Sequence, residues 1–88
     1  MWEISPCMKA QEKGDEAFLK ALGIRIAKIR EGKRMTQLEL GHRCDIERAN
    51  VSRIEAGNTN PTVLTLRKIA SALDIPLTEL IDVPEKSR

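Results

Sequence analysis

The chain has 88 residues, and 15 Lys+Arg against 13 Asp+Glu leave a formal net charge of +2. A chain this short buries only about 60% of its unfolded surface, which suits one domain with a thin stability margin and leaves little room for an enclosed catalytic cleft. Aromatic residues make up 2%, so the core must be aliphatic, and a single-strand binder built on exposed aromatic platforms is excluded.

So mild a net charge does not by itself point to nucleic acid. The two cysteines, Cys7 and Cys44, have no C-x-x-C spacing, and the lone His42 cannot complete a zinc set with them. No metal, cofactor or disulfide is expected. Cys44 reads as a reduced core thiol and His42 as a surface residue. No apolar run approaches the roughly 18 residues of a membrane span. The start, Met1-Trp2-Glu3-Ile4-Ser5-Pro6, lacks the basic and apolar regions of a secretion signal. A cytoplasmic protein with no membrane contact is expected. No nucleophile–base pair, carboxylate dyad or phosphate loop is visible, so no enzyme is expected, and no small-molecule ligand is evident.

Residues 1–14 show no sustained period and contain Pro6 and Gly14, which reads as a flexible arm with Trp2 and Ile4 free to dock. Asp15 is a candidate N-cap. Leu19, Leu22, Ile26 and Ile29 then recur at steps of three and four, which predicts an amphipathic helix over roughly 15–32. Its other face carries Arg25, Lys28, Arg30, Lys33 and Arg34, and Gly32 with the basic pair marks its end.

Thr36 with Glu39 three residues on is a capping box, and it opens a helix that reaches about Arg43. Asp45 lies in the turn that follows, at a position suited to a left-handed backbone. A third helix spans roughly 47–55 with Val51 and Ile54 inward, and Gly57 stops it. Two short helices joined by a tight turn, the second presenting Arg48, Asn50 and Arg53, have the shape of a DNA-reading helix-turn-helix. Thr62 caps a fourth helix with Leu66, Ile69, Ala70 and Leu73 inward, Pro76 breaks it, and Leu77–Ile81 form a short fifth. No strand signal or internal repeat is present. The expected fold is all-α, a compact five-helix domain over 15–83 with a polar tail at 84–88.

The ordered set Leu22-Gly23, Ile26, Arg30, Thr36-Gln37, Leu40, Val51-Ser52, Ile54-Glu55, Gly57, Pro61, Thr65-Leu66, Ile69-Ala70 and Ala72-Leu73 resembles the phage repressor/Cro-like helix-turn-helix family of prokaryotic DNA-binding regulators. Each motif is weak alone; the set at these spacings is specific, and it covers about residues 19–82. Two places depart from the family pattern. Gly41 stands where Ala is usual, and Asp45-Ile46-Glu47 replaces the usual Gly-Val-Ser turn.

The resemblance implies that the third helix lies in the major groove. Arg48, Ala49 and Arg53 are then the base-facing residues, with Ser52 beside them. Arg suits guanine because its planar fork donates to O6 and N7, and Ala49 suits a thymine methyl. Glu47 has two readings: it accepts from a cytosine amino group, or it repels phosphate and so discourages non-specific binding. Gln37 is the expected phosphate anchor with the amides of its helix N-terminus. Thr36, Arg43, Asn50, Asn58 and Asn60 are further backbone candidates. Arg30 and Glu55 resemble an ion pair joining the first helix to the end of the third.

Such regulators pair two reading helices about one DNA turn apart, so a homodimer on a palindromic operator is expected. Candidate dimer residues are Leu77, Leu80, Ile81 and Val83, with Ile75. The implied function is sequence-specific regulation of transcription, most simply repression. The alternatives are an antitoxin or a restriction–modification control protein of the same fold, or an interaction module that has lost DNA binding.

Overall fold

A computed structural model describes residues 5–84, with side chains described from residue 14 onward. The expectations for Trp2 and Ile4 and for the end of the polar tail fall outside these residues. Five helices follow one another: α1 (Ser5–Gly32), α2 (Gln37–Cys44), α3 (Arg48–Ala56), α4 (Val63–Ala72) and α5 (Leu77–Leu80). There is no strand among the described residues.

The first helix corrects the expected boundary. It begins at Ser5, so residues 5–14 are helical and Asp15 lies inside α1 instead of capping it. The local reason is propensity. Met8, Ala10, Gln11, Glu12 and Lys13 are good helix formers, Pro6 falls in the first turn where its missing N–H has no partner to lose, and Gly14 costs only about 1 kcal/mol relative to Ala. The helix also runs through Gly32. It stops where Arg34 turns left-handed at φ 59°, and the Met35 amide returns to the Arg30 carbonyl at 3.1 Å.

The other helix starts and stops follow from their caps. Thr36 Oγ1 accepts from the Glu39 amide at 3.0 Å while Glu39 Oε1 accepts from the Thr36 amide at 2.9 Å. Thr62 Oγ1 accepts from the Thr65 amide at 3.1 Å and opens α4. Gly57, at φ 76°, closes α3, and Asp74, at φ 61°, turns the chain before Pro76.

The core is aliphatic, as the composition requires. Leu22 and Ile26 of α1, Leu40 and Cys44 of α2, Val51 and Ile54 of α3, Ile69, Ala70 and Leu73 at α4, and Leu80 of α5 are buried together with Met35. Phe18, Ile29, Leu66, Ile75 and Leu77 pack at its margin. Burial pushes the Cys44 thiol above its ordinary range, partly offset by Lys68, and its Sγ lies 3.7 Å from the Lys68 carbonyl. α1 packs on α3 and α5, α2 on α3 and α4, and α4 on α5. Arg25 of α1 donates from Nε to the Glu79 carbonyl at 2.7 Å, fastening α5 to α1. Leu80 is 0% exposed. Its expected place on a dimer surface is therefore corrected: a helix of one turn closes the core with Leu80, its one fully buried residue.

Candidate nucleic-acid interface

The turn between α2 and α3 sets the angle of the exposed helix. Asp45 adopts φ 62° and ψ 43°, a conformation that a short polar side chain tolerates. The Ile46 amide then reaches back to the Gly41 carbonyl at 2.8 Å. A Cβ on Gly41 would sit 2.4 Å from the Ile46 carbonyl oxygen. Close approach of two helices requires only a small residue there; the Asp45-Ile46-Glu47 turn brings its own backbone so close that hydrogen is required. Glu47 caps α3 through its backbone, with its carbonyl accepting from Asn50 and Val51. Its side chain makes no capping hydrogen bond and is exposed.

α3 has one anchored face and one free face. Val51 is 1% and Ile54 5% exposed. Arg48, Ala49, Ser52 and Arg53, spaced i, i+1, i+4 and i+5, are all exposed, so they share the side of the helix turned from the core. Asn50 is exposed as well. An exposed helix with two arginines, a methyl-sized residue and a hydroxyl, held by a rigid turn, has the donors and the shape to enter a groove of duplex DNA.

The expected backbone contacts lie around it in different states. Arg43, Asn58 and Asn60 are exposed. Thr36 is exposed, and its hydroxyl accepts from the Glu39 amide at 3.0 Å in the capping box. Gln37 is half-buried, and its Nε2 donates to Glu55 Oε1 at 2.9 Å. Arg67 and Lys68 of α4 line an open groove together with Arg43. In the sequence both look like any solvated helix face.

Arg30 and Glu55 meet. Nε donates to Oε2 at 2.7 Å and Nη2 to Oε1 at 3.0 Å. The third arm, Nη1, donates to the Met35 carbonyl at 2.7 Å. The side chains are 10% and 6% exposed, so Arg30 leaves the basic solvent face where the helical spacing put it. Its hydrogen bonds to Glu55 hold the guanidinium charged above its ordinary range, outweighing desolvation. One planar cation thus joins α1 to the end of α3 and to the residue that leads into α2.

This geometry defines a helix-turn-helix protein. The helix-turn-helix family profile matches residues 26–80. An uncharacterized HTH-type transcriptional regulator, y4dJ of Sinorhizobium fredii, is 37% identical over 62 residues, which span 70% of this chain and 80% of that protein. The immunity repressor protein of Bacillus phage phi105 is 32% identical over 60 residues, covering 68% of this chain but 42% of the repressor's length. Among solved structures, the restriction-modification controller protein C.AhdI from Aeromonas hydrophila superposes with a TM-score of 0.72 at 33% identity, over 73% of this chain and 97% of that one. The clp gene regulator ClgR from C. glutamicum shares the fold at a TM-score of 0.72 and 22% identity, over 74% and 83%. The chain belongs to the helix-turn-helix family of DNA-binding transcriptional regulators.

Proposed function

We propose that this protein represses transcription by binding a palindromic duplex operator as a homodimer, with α3 in the major groove. The observation that carries the reading is the division of α3. Its buried Val51 and Ile54 fix the helix, and Arg48, Ala49 and Arg53 are left exposed on the opposite side. In this reading Arg48 and Arg53 read guanine edges and Ala49 meets a thymine methyl. Glu47 and Ser52 flank them. Gln37 anchors a phosphate, with Asn50, Asn58, Asn60, Arg43 and Thr36 as further backbone contacts. The dimer surface uses Ile81, which is 38% exposed, with Val83 and Leu77 at its edge. The likeness to C.AhdI, at 33% identity over 97% of that chain, supports a second form of the same reading, in which the regulated genes are a restriction–modification pair.

Selection of bound duplexes from a random pool tests the proposal. A palindromic winner with two chains per duplex is the expected result. An asymmetric site bound by one chain would remove the dimer, and no enrichment at low salt would remove DNA reading altogether. Counterion release predicts that affinity falls steeply as salt rises. Arg48→Ala should cost about 1–3 kcal/mol on the selected duplex and relax its sequence preference. Equal losses on the selected and scrambled duplexes would show that Arg48 touches backbone and reads no base.

A further inference from the structure

Gln37 and Glu55 are separated by 18 positions, yet the Gln37 Nε2 to Glu55 Oε1 hydrogen bond is 2.9 Å. A glutamine amide can present either end to a neighbour that both donates and accepts. A carboxylate only accepts, so Glu55 admits the NH2 end and rejects the carbonyl. One of the two Nε2 protons is then committed to Glu55, and the other is left to donate elsewhere. The carboxylate is itself immobilised, because Arg30 grips both of its oxygens at 2.7 and 3.0 Å. Arg30 also holds the Met35 carbonyl at 2.7 Å, next to the Thr36 cap from which α2 and Gln37 begin.

We infer that Glu55 is a positioning residue for the DNA backbone contact: it fixes the Gln37 amide so that the second Nε2 proton is presented to a phosphate oxygen. The inference rests on the proposed role of Gln37 as an anchor. It gives the Arg30–Glu55 pair a part in binding besides its part in packing. A phosphate is an acceptor, so the amide end chosen by Glu55 is the end a phosphate requires. Once the carboxylate becomes an amide, both ends of Gln37 are admitted, and the carbonyl end would face phosphate as one acceptor against another.

The test is a double-mutant cycle with Gln37→Met and Glu55→Gln, read on the pool-selected duplex and on a scrambled duplex at a temperature where circular dichroism shows each variant folded. Glu55→Gln is expected to weaken both duplexes by the same factor, roughly tenfold, the low end of the scale of one hydrogen bond to a charged group. In the Gln37→Met background it should add no further loss. A loss of the same size in both backgrounds would overturn the inference, as would no loss in the wild-type background. If Gln37→Met binds the scrambled duplex as well as the wild type does, the anchor reading fails and takes the inference with it. If Gln37→Met binds weakly but Glu55→Gln is not coupled to it, only the inference fails.

Should Glu55→Gln not fold, the side-chain amide of Gln37 in the wild-type protein gives the same decision by nuclear magnetic resonance. One Nε2 proton should be shifted and protected from exchange before DNA is added, and the other should move only when duplex is added. Two protons that respond alike would overturn the inference.

Discussion

Gly23→Ala is expected to lower the melting temperature by about 8–16 °C, whereas Gly14→Ala, in the same helix, should raise it by a few degrees. Both changes gain up to about 1 kcal/mol of helix propensity. They differ in what the new methyl meets. At Gly14 there is nothing within 4 Å of the added carbon. At Gly23 it would lie 2.3 Å from the Glu55 carbonyl oxygen, 2.6 Å from that of Ile54 and 2.7 Å from the Glu55 carbonyl carbon. All three are backbone atoms of α3, so no side chain can swing aside and the two helices must part. Overpacking costs about 1–3 kcal/mol and occasionally more, and contacts this short with immobile backbone put Gly23 at about 3 kcal/mol before the propensity gain is subtracted. A net loss of roughly 2 kcal/mol shifts the midpoint of a domain this size by about 4–8 °C per kcal/mol. Paired thermal unfolding curves decide the matter. If Gly23→Ala melts at or above the wild-type temperature, the close approach of α1 and α3 is not what Gly23 serves.

The same comparison shows where the sequence is readable. Thr36 with Glu39, and Thr62 before its helix, announce helix starts because capping is local chemistry, complete within four residues. Asp45 and Gly57 announce turns for the same reason. The core faces of α3 and α4 are legible because Val51, Ile54, Ile69, Ala70 and Leu73 repeat at helical spacing. The start of α1 is not. Residues 5–14 have helix formers but no apolar stripe, so periodicity stops at Asp15 while the backbone continues. Leu80 is misread because a four-residue helix is too short to show a period. Gly23 gives no local sign of its contact, since the atoms that crowd it come from α3.

Among the interface residues, exposure is legible and commitment is not. Arg48, Ala49, Ser52 and Arg53 are the positions that the period leaves outside, and they are exposed. Arg30 has the spacing of a surface cation, and only its resemblance to a family pair sets it beside Glu55. The hydrogen bond from Gln37 to that carboxylate is non-local, and a pattern of short spacings cannot contain it. Thr36 illustrates the reverse. Its capping role is written in the sequence, because the hydroxyl and the amide it accepts from lie three residues apart.

Arg30→Met is expected to destabilise the domain by about 3–5 kcal/mol, the cost of leaving one partner of a shielded ion pair unpaired. The guanidinium holds Glu55 with two hydrogen bonds and the Met35 carbonyl with a third. Without it, a carboxylate whose side chain is 6% exposed keeps, among the described residues, only the amide of Gln37. For a domain of marginal stability this is a large part of the total. Arg30→Met/Glu55→Met should be more stable than Arg30→Met alone, since apolar residues of similar volume can replace a buried pair at little cost. The double variant still orphans the Met35 carbonyl and removes the acceptor for Gln37. It should therefore fold and yet bind both the selected and the scrambled duplex more weakly than the wild type. Urea titration of the three proteins measures the stability terms, and a binding titration measures the rest. A double variant that is less stable than Arg30→Met would refute the account of an uncompensated charge. One that recovers stability and full affinity together would confine the ion pair to packing.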